Sequence, residues 1–123
     1  MDIEVLKQHL TVCKAGSVKD ISLDKGFCFV GVTGDEISLV CETGSVPANT
    51  TAREDGWRGF RISGELDFSL VGILGRIANI LAENGISIFA VSTYNTDYIL
   101  VKEESFESAL SALEKSGINI IRT

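Results

Sequence analysis

The chain has 123 residues, 45% hydrophobic and 23% charged, the proportions of an ordinary soluble globular protein with enough length to bury a core. Its formal net charge of −6 argues against nucleic acid and anionic membrane as partners, since both reward clustered Lys and Arg. No basic start precedes an apolar run, and no apolar run is long enough to span a bilayer, so the expected compartment is the cytoplasm.

Residues 9–15 (HLTVCKA) are expected to form the first strand. Residues 16–26 offer only Val18, Ile21 and Leu23 as apolar contacts and read as one weak helical turn or an irregular loop. Two further strands, residues 27–33 and 36–42, are joined by Gly34-Asp35, a hairpin-type connection. Cys13, Cys28 and Cys41 lie in these apolar runs; odd in number and without a C-x-x-C pair, they read as buried, inert thiols. Residues 44–56 are the most polar stretch, contain the single proline Pro47, and read as a short turn followed by a linker.

The second half carries stronger periodicity. Phe60 and Ile62 alternate with Gly59 and Arg61 as in a half-buried strand. Leu70, Ile73, Leu74, Ile77 and Leu81 then follow helical spacing, with Ser69 as the expected N-cap and Gly85 as the stop. Residues 86–93 and 98–101 read as strands around the polar turn Thr93-Tyr94-Asn95-Thr96-Asp97. Ser105 is expected to cap a second helix with Phe106, Ala109, Leu110 and Leu113 on one face. Gly117 ends it, and Ile118, Ile120 and Ile121 make a last strand. The order βαββαβ predicts an α+β, ferredoxin-like unit: a four-stranded antiparallel sheet with two helices on one face. Residues 33–40 faintly echo residues 93–101 with one residue inserted, setting Glu36 against Asp97. The chain is therefore expected to divide into a degenerate unit at 1–55 and a complete one at 56–123.

Two features point to a ligand. At the start of the long helix, the amides of Val71, Gly72 and Ile73 have no intrahelical acceptor; they can meet a carboxylate, or Ser69 and water as at any helix start. In the polar turn, Asp97 can neutralise an ammonium, although an ordinary hairpin favours the same residue types. Opposite signs so close in sequence suit a small zwitterion, and an amino acid is the obvious candidate. Gly72, Gly75, Arg76, Asn79 and Glu83 share the polar helical face, and interior glycines cost about 1 kcal/mol each relative to alanine. Close approach of another backbone or a ligand is the expected reason, ahead of a marginal helix held only by its core face. No catalytic constellation, phosphate-cradling loop or metal-spaced cluster stands out, so neither enzymatic activity nor a cofactor or metal is expected. His9 reads as a solvated or packed histidine, and Trp57 as a packing residue where the two halves join.

Gly72-Ile73 at the helix start, Gly85-Ile86-Ser87 at its end, and Ser92-Thr93 followed by Thr96-Asp97 closely resemble the ACT domain, a βαββαβ regulatory module. Within that superfamily the pattern is most similar to small bacterial tandem-ACT proteins related to the CASTOR-type arginine sensors. The close match covers residues 57–101, and residues 27–42 resemble the divergent N-terminal half of those proteins. The resemblance implies an amino-acid ligand held where ACT units pack side by side, within one chain or across a homodimer. Gly72 and Ile73 would then offer backbone groups, and Thr93, Asp97 and Ser92 side chains, with a regulated protein partner reading the outcome. Leu70 stands where the arginine sensors carry an acidic residue, which argues against a ligand with a second positive charge. The competing expectation is a ligand-free interaction module whose glycine face is a dimer contact.

Overall fold

Ile3 and Val5 alternate with Asp2 and Glu4, and this short pattern forms an unanticipated strand, β1 (Asp2–Val5). In the computed structural model, which describes residues 1–24, 26–63 and 72–122, β1 is followed by β2 (Leu10–Ala15), β3 (Cys28–Val32), β4 (Ile37–Glu42) and β5 (Thr50–Ile62). Then come α1 (Ile73–Glu83), β6 (Phe89–Ser92), β7 (Asp97–Lys102), α2 (Phe106–Lys115) and β8 (Asn119–Ile121). Contacts divide the chain into Met1–Lys7 with Arg58–Thr123, and Gln8–Trp57. The units are thus not the contiguous stretches 1–55 and 56–123, because β1 pairs with strands of the C-terminal unit.

In that unit β1 runs antiparallel to the end of β5, with Ile3 opposite Ile62 and Val5 opposite Phe60. β8 lies parallel to β1, with Ile3 opposite Ile120. β7 pairs with β5 and with β6, giving the order β6-β7-β5-β1-β8. The ferredoxin-like plan is present, but the sheet is mixed rather than wholly antiparallel: β1 lies between β5 and the last strand, which runs parallel to it. Phe60 and Ile62, Ile99 and Val101, and Ile3 are alternate residues of their strands and share one core with Ile77 and Leu81 of α1. Phe106, Ala109, Leu110 and Leu113 of α2 join the same core, so both helices cover a single face of the sheet. Burial of these side chains, each worth about 1.5–3 kcal/mol for the larger ones, is the main force holding the layers together.

The unit Gln8–Trp57 orders its strands β3-β4-β2-β5, all antiparallel, which is again the ferredoxin-like order. Where the other unit has helices, the described residues of this one have only the 3-10 turns Val18–Asp20 and Thr43–Ser45. Its core is correspondingly small: Cys13, Leu39 and Cys41, with Ile21, Cys28 and Val46 packed against them. The linker expected within residues 44–56 is instead, from Thr50 onward, the first part of β5. Arg53 and Glu54 pair with Cys13 and Val12, so tertiary pairing overrides a polar sequence of weak strand propensity. The register shifts by one residue before Leu10 meets Trp57, and Gly56, at φ 83°, supplies the left-handed backbone of that bulge.

The internal echo has a firm structural basis, in a different alignment from the one expected. Thr33 N–H donates to Glu36 O at 3.0 Å, and Thr93 N–H donates to Thr96 O at 2.9 Å. Val32 opposes Ile37 just as Ser92 opposes Asp97. A 3-10 turn follows each second strand, at Thr43–Ser45 and Glu103–Ser105. No residue is inserted between the two turns, so Ile37, not Glu36, holds the place of Asp97.

Candidate ligand-binding site

The described part of the long helix starts at Ile73, and its N-cap is Gly72, in the left-handed conformation (φ 81°, ψ −2°) with no side-chain cap bond. Ser69, the expected cap, and Leu70 and Val71 lie outside the described residues. Glycine fits because a left-handed cap position burdens any residue with a Cβ. The Gly72 carbonyl opens the helical ladder, accepting from Arg76 N–H at 2.8 Å. The amides of Ile73, Leu74 and Gly75 have no intrahelical acceptor, and the helix dipole adds partial positive charge there. Ile73 packs against the core and fixes this first turn, while Gly72 is exposed. Among the described residues the close approach expected over the glycine face is not made: a Cβ added at Gly72 or Gly75 would meet none of them within 4 Å. Arg76 turns instead toward α2, its Nη2 donating to Ser116 O at 3.1 Å.

The β6–β7 turn is built from its own polar side chains. Thr93 Oγ1 donates to Thr96 O at 3.1 Å and accepts from Thr96 N–H at 3.4 Å. Ser92 and Asp97 face each other at the last rung of the ladder, and Ser92 Oγ donates to Asp97 Oδ1 at 2.6 Å. That short, charge-assisted bond orients the carboxylate, and a carboxylate with one donor keeps acceptor capacity for a cation. Asp97 is half-buried, whereas Ser92 and Thr93 are exposed.

Thr96, whose role was not foreseen, is 3% exposed and donates through Oγ1 to Ile62 O at 2.8 Å. It ties the turn to the end of β5, the point from which the chain leaves toward α1. The structure therefore joins Ser92, Thr93 and Asp97 in one bonded turn, while Gly72 and Ile73 stand at the far end of the connection that starts beside it. The equivalent hairpin of the other unit carries Val32, Thr33 and Ile37, so it repeats the turn without the serine–carboxylate pair. A groove of about 410 Å³ lined by Asn84, Glu107, Ser108, Ser111, Ala112 and Lys115 shares none of these residues. Among the described residues, no group of three or more His, Cys, Asp or Glu is arranged to hold a metal ion. No helix among them is long and apolar enough to cross a membrane.

Residues 52–115, just over half of the chain, match the family model of the ACT domain. The chain belongs to the ACT domain family. The chain is 37% identical over 67 residues to the cytosolic arginine sensor for mTORC1 subunit 1 of Homo sapiens, a match covering 54% of this chain and 20% of that protein. The matched stretch thus spans about one fifth of the curated relative. Among solved structures, protein Atu0741 from Agobacterium tumefaciens superposes with a TM-score of 0.86 at 26% identity, over 99% of this chain and 92% of that one. The ligand-free regulatory subunit of aspartate kinase from Thermus thermophilus superposes with a TM-score of 0.62 at 13% identity, covering 94% of this chain and 96% of that one, a likeness of fold alone.

Proposed function

We propose that this ACT-domain protein is a non-enzymatic, cytoplasmic regulator that binds an amino acid at Gly72, Ile73, Ser92, Thr93 and Asp97. The bare first turn of α1 takes the ligand carboxylate, and Asp97 takes its ammonium. The site is completed where ACT domains of two copies meet, and a partner protein reads the ligand-dependent pairing. Burial at such an interface excludes water and strengthens both polar contacts. One observation carries the reading: Asp97 is held ready by Ser92 at the ladder's end, in a turn anchored to the strand that leads to Gly72. The likeness to an arginine sensor supports an amino acid as the ligand class. Leu70 disfavours arginine itself, because a second positive charge would lack the acidic partner.

Calorimetry of the full chain against each of the twenty amino acids tests this. Asp97→Asn keeps the shape and an acceptor for Ser92 but loses the charge. Removing a charged hydrogen-bond partner costs about 1.5–3 kcal/mol, or roughly 10- to 150-fold in affinity. Unchanged affinity would remove Asp97 from the site. A second reading, a ligand-free dimerisation module, is favoured by Gly72 and Gly75, where an added Cβ would meet no described residue within 4 Å. In that case Gly75→Leu yields monomers, and no amino acid alters the assembly of the unmodified protein.

A further inference from the structure

Cys28 and Cys41 are register partners across the β3–β4 hairpin. Because Thr33 N–H bonds Glu36 O, the 33:36 pair is a hydrogen-bonded one. Antiparallel ladders alternate, so Val32:Ile37, Val30:Leu39 and Cys28:Cys41 are the non-hydrogen-bonded pairs. At such pairs the Cα atoms stand about 4.5 Å apart with side chains leaning together, inside the range of about 4.4–6.8 Å that a disulfide spans. Cys28 does pack against the cluster that contains Cys41, and both thiols are free.

The two sulfurs differ in environment. Cys41 is buried, and burial first, then the neighbouring thiols Cys13 and Cys28, push its pKa up to about 11. Cys28 is only half-buried and lies on β3, the outer strand of its sheet, beside the exposed Val30 and Val32. A small thiol reagent therefore meets Cys28 first. Cys13, on β2, faces Leu39 in the register, and burial raises its pKa as well. The corresponding positions of the other hairpin are Ile88 and Val101, so the thiol pair belongs to this hairpin alone.

We infer that Cys28 and Cys41 form a thiol modification site that closes to a reversible cross-strand disulfide in exchange with a low-molecular-weight disulfide such as oxidised glutathione. Cys28 gives its proton to water and its thiolate attacks one sulfur of that disulfide; the S–S bond breaks, and one glutathione leaves as a thiolate that takes up a proton from water. Cys41, after giving its proton to water, attacks Cys28 Sγ and displaces the second glutathione. Two protein thiols are oxidised and one glutathione disulfide is reduced to two thiols, so electrons and protons balance.

The test treats the full chain with oxidised glutathione in mildly alkaline buffer, quenches with acid and maps the peptides by mass spectrometry. The expected product joins the Cys28 and Cys41 peptides, leaves Cys13 free for alkylation after denaturation, and reverts with dithiothreitol. Cys13→Ser forms the same product, and Cys28→Ser forms none. A persistent Cys28–glutathione adduct, a bridge that includes Cys13, or survival of all three thiols in the unmodified sequence would each overturn the inference.

Discussion

Replacing Thr96 with valine keeps the shape of a buried side chain and deletes a single donor. Thr96 is 3% exposed, and its Oγ1 gives 2.8 Å to the carbonyl of Ile62, the last residue of β5. A net hydrogen bond is worth about 0.5–1.5 kcal/mol, and leaving the carbonyl without a donor in a dry place raises the loss to about 1–3 kcal/mol. For a domain of this size each kcal/mol lowers the melting temperature by roughly 4 °C, so Thr96→Val is expected to melt about 4–12 °C lower. Differential scanning calorimetry reads this directly. Amide exchange at residues 93–97 should rise in the variant, because the turn loses its tie to β5. A melting temperature within about 1 °C of the parent, a small fraction of the change expected from an unpaired buried carbonyl, would refute the anchoring role.

Two glycines give opposite signs under one substitution. Gly59→Ala puts a Cβ 3.0 Å from Leu100 Cδ2 and 3.2 Å from the Ile99 carbonyl oxygen, and the backbone atom cannot yield, so it lowers the urea midpoint. Gly75→Ala meets no described residue within 4 Å in a helix and raises that midpoint by the equivalent of about 0.5–1 kcal/mol. The Cys41 thiol is raised from 9.0 to about 11 by burial, so the unfolded chain releases its proton first as pH climbs. Stability is therefore intact below pH 9 and falls between pH 9 and 11, by at most about 2 kcal/mol. Urea midpoints across that window should fall less steeply for Cys41→Val than for the parent.

Much of the C-terminal fold was legible because its periods are clean. Ile73, Leu74, Ile77 and Leu81 mark α1, and Phe106, Ala109, Leu110 and Leu113 mark α2; all pack on the core as their spacing implies. β1 went unforeseen although Ile3 and Val5 alternate with acidic residues, because four residues gain meaning only from distant partners at Phe60, Ile62 and Ile120. The first part of β5 was read as linker for the same reason: Thr50 and Arg53 pair with Ala15 and Cys13, and nothing local announces it. At the site, the serine–aspartate pair lies five residues apart in a turn, within reach of a local reading. The grip of Thr96 on Ile62 spans 34 residues and required the folded chain. The one-residue insertion placed in the internal echo came from matching acidic side chains, whereas the backbone bond of Thr33 and Thr93 aligns the turns without it.

The proposed function requires one amino acid to engage the start of α1 and the β6–β7 turn together. Titration of the isotopically labelled full chain with each of the twenty amino acids, followed by amide NMR, tests it most directly. One of them is expected to shift the amides of Gly72, Ile73, Thr93 and Asp97 along a single saturating curve. Shifts confined to another surface, or no response from these four amides to any amino acid, would contradict it.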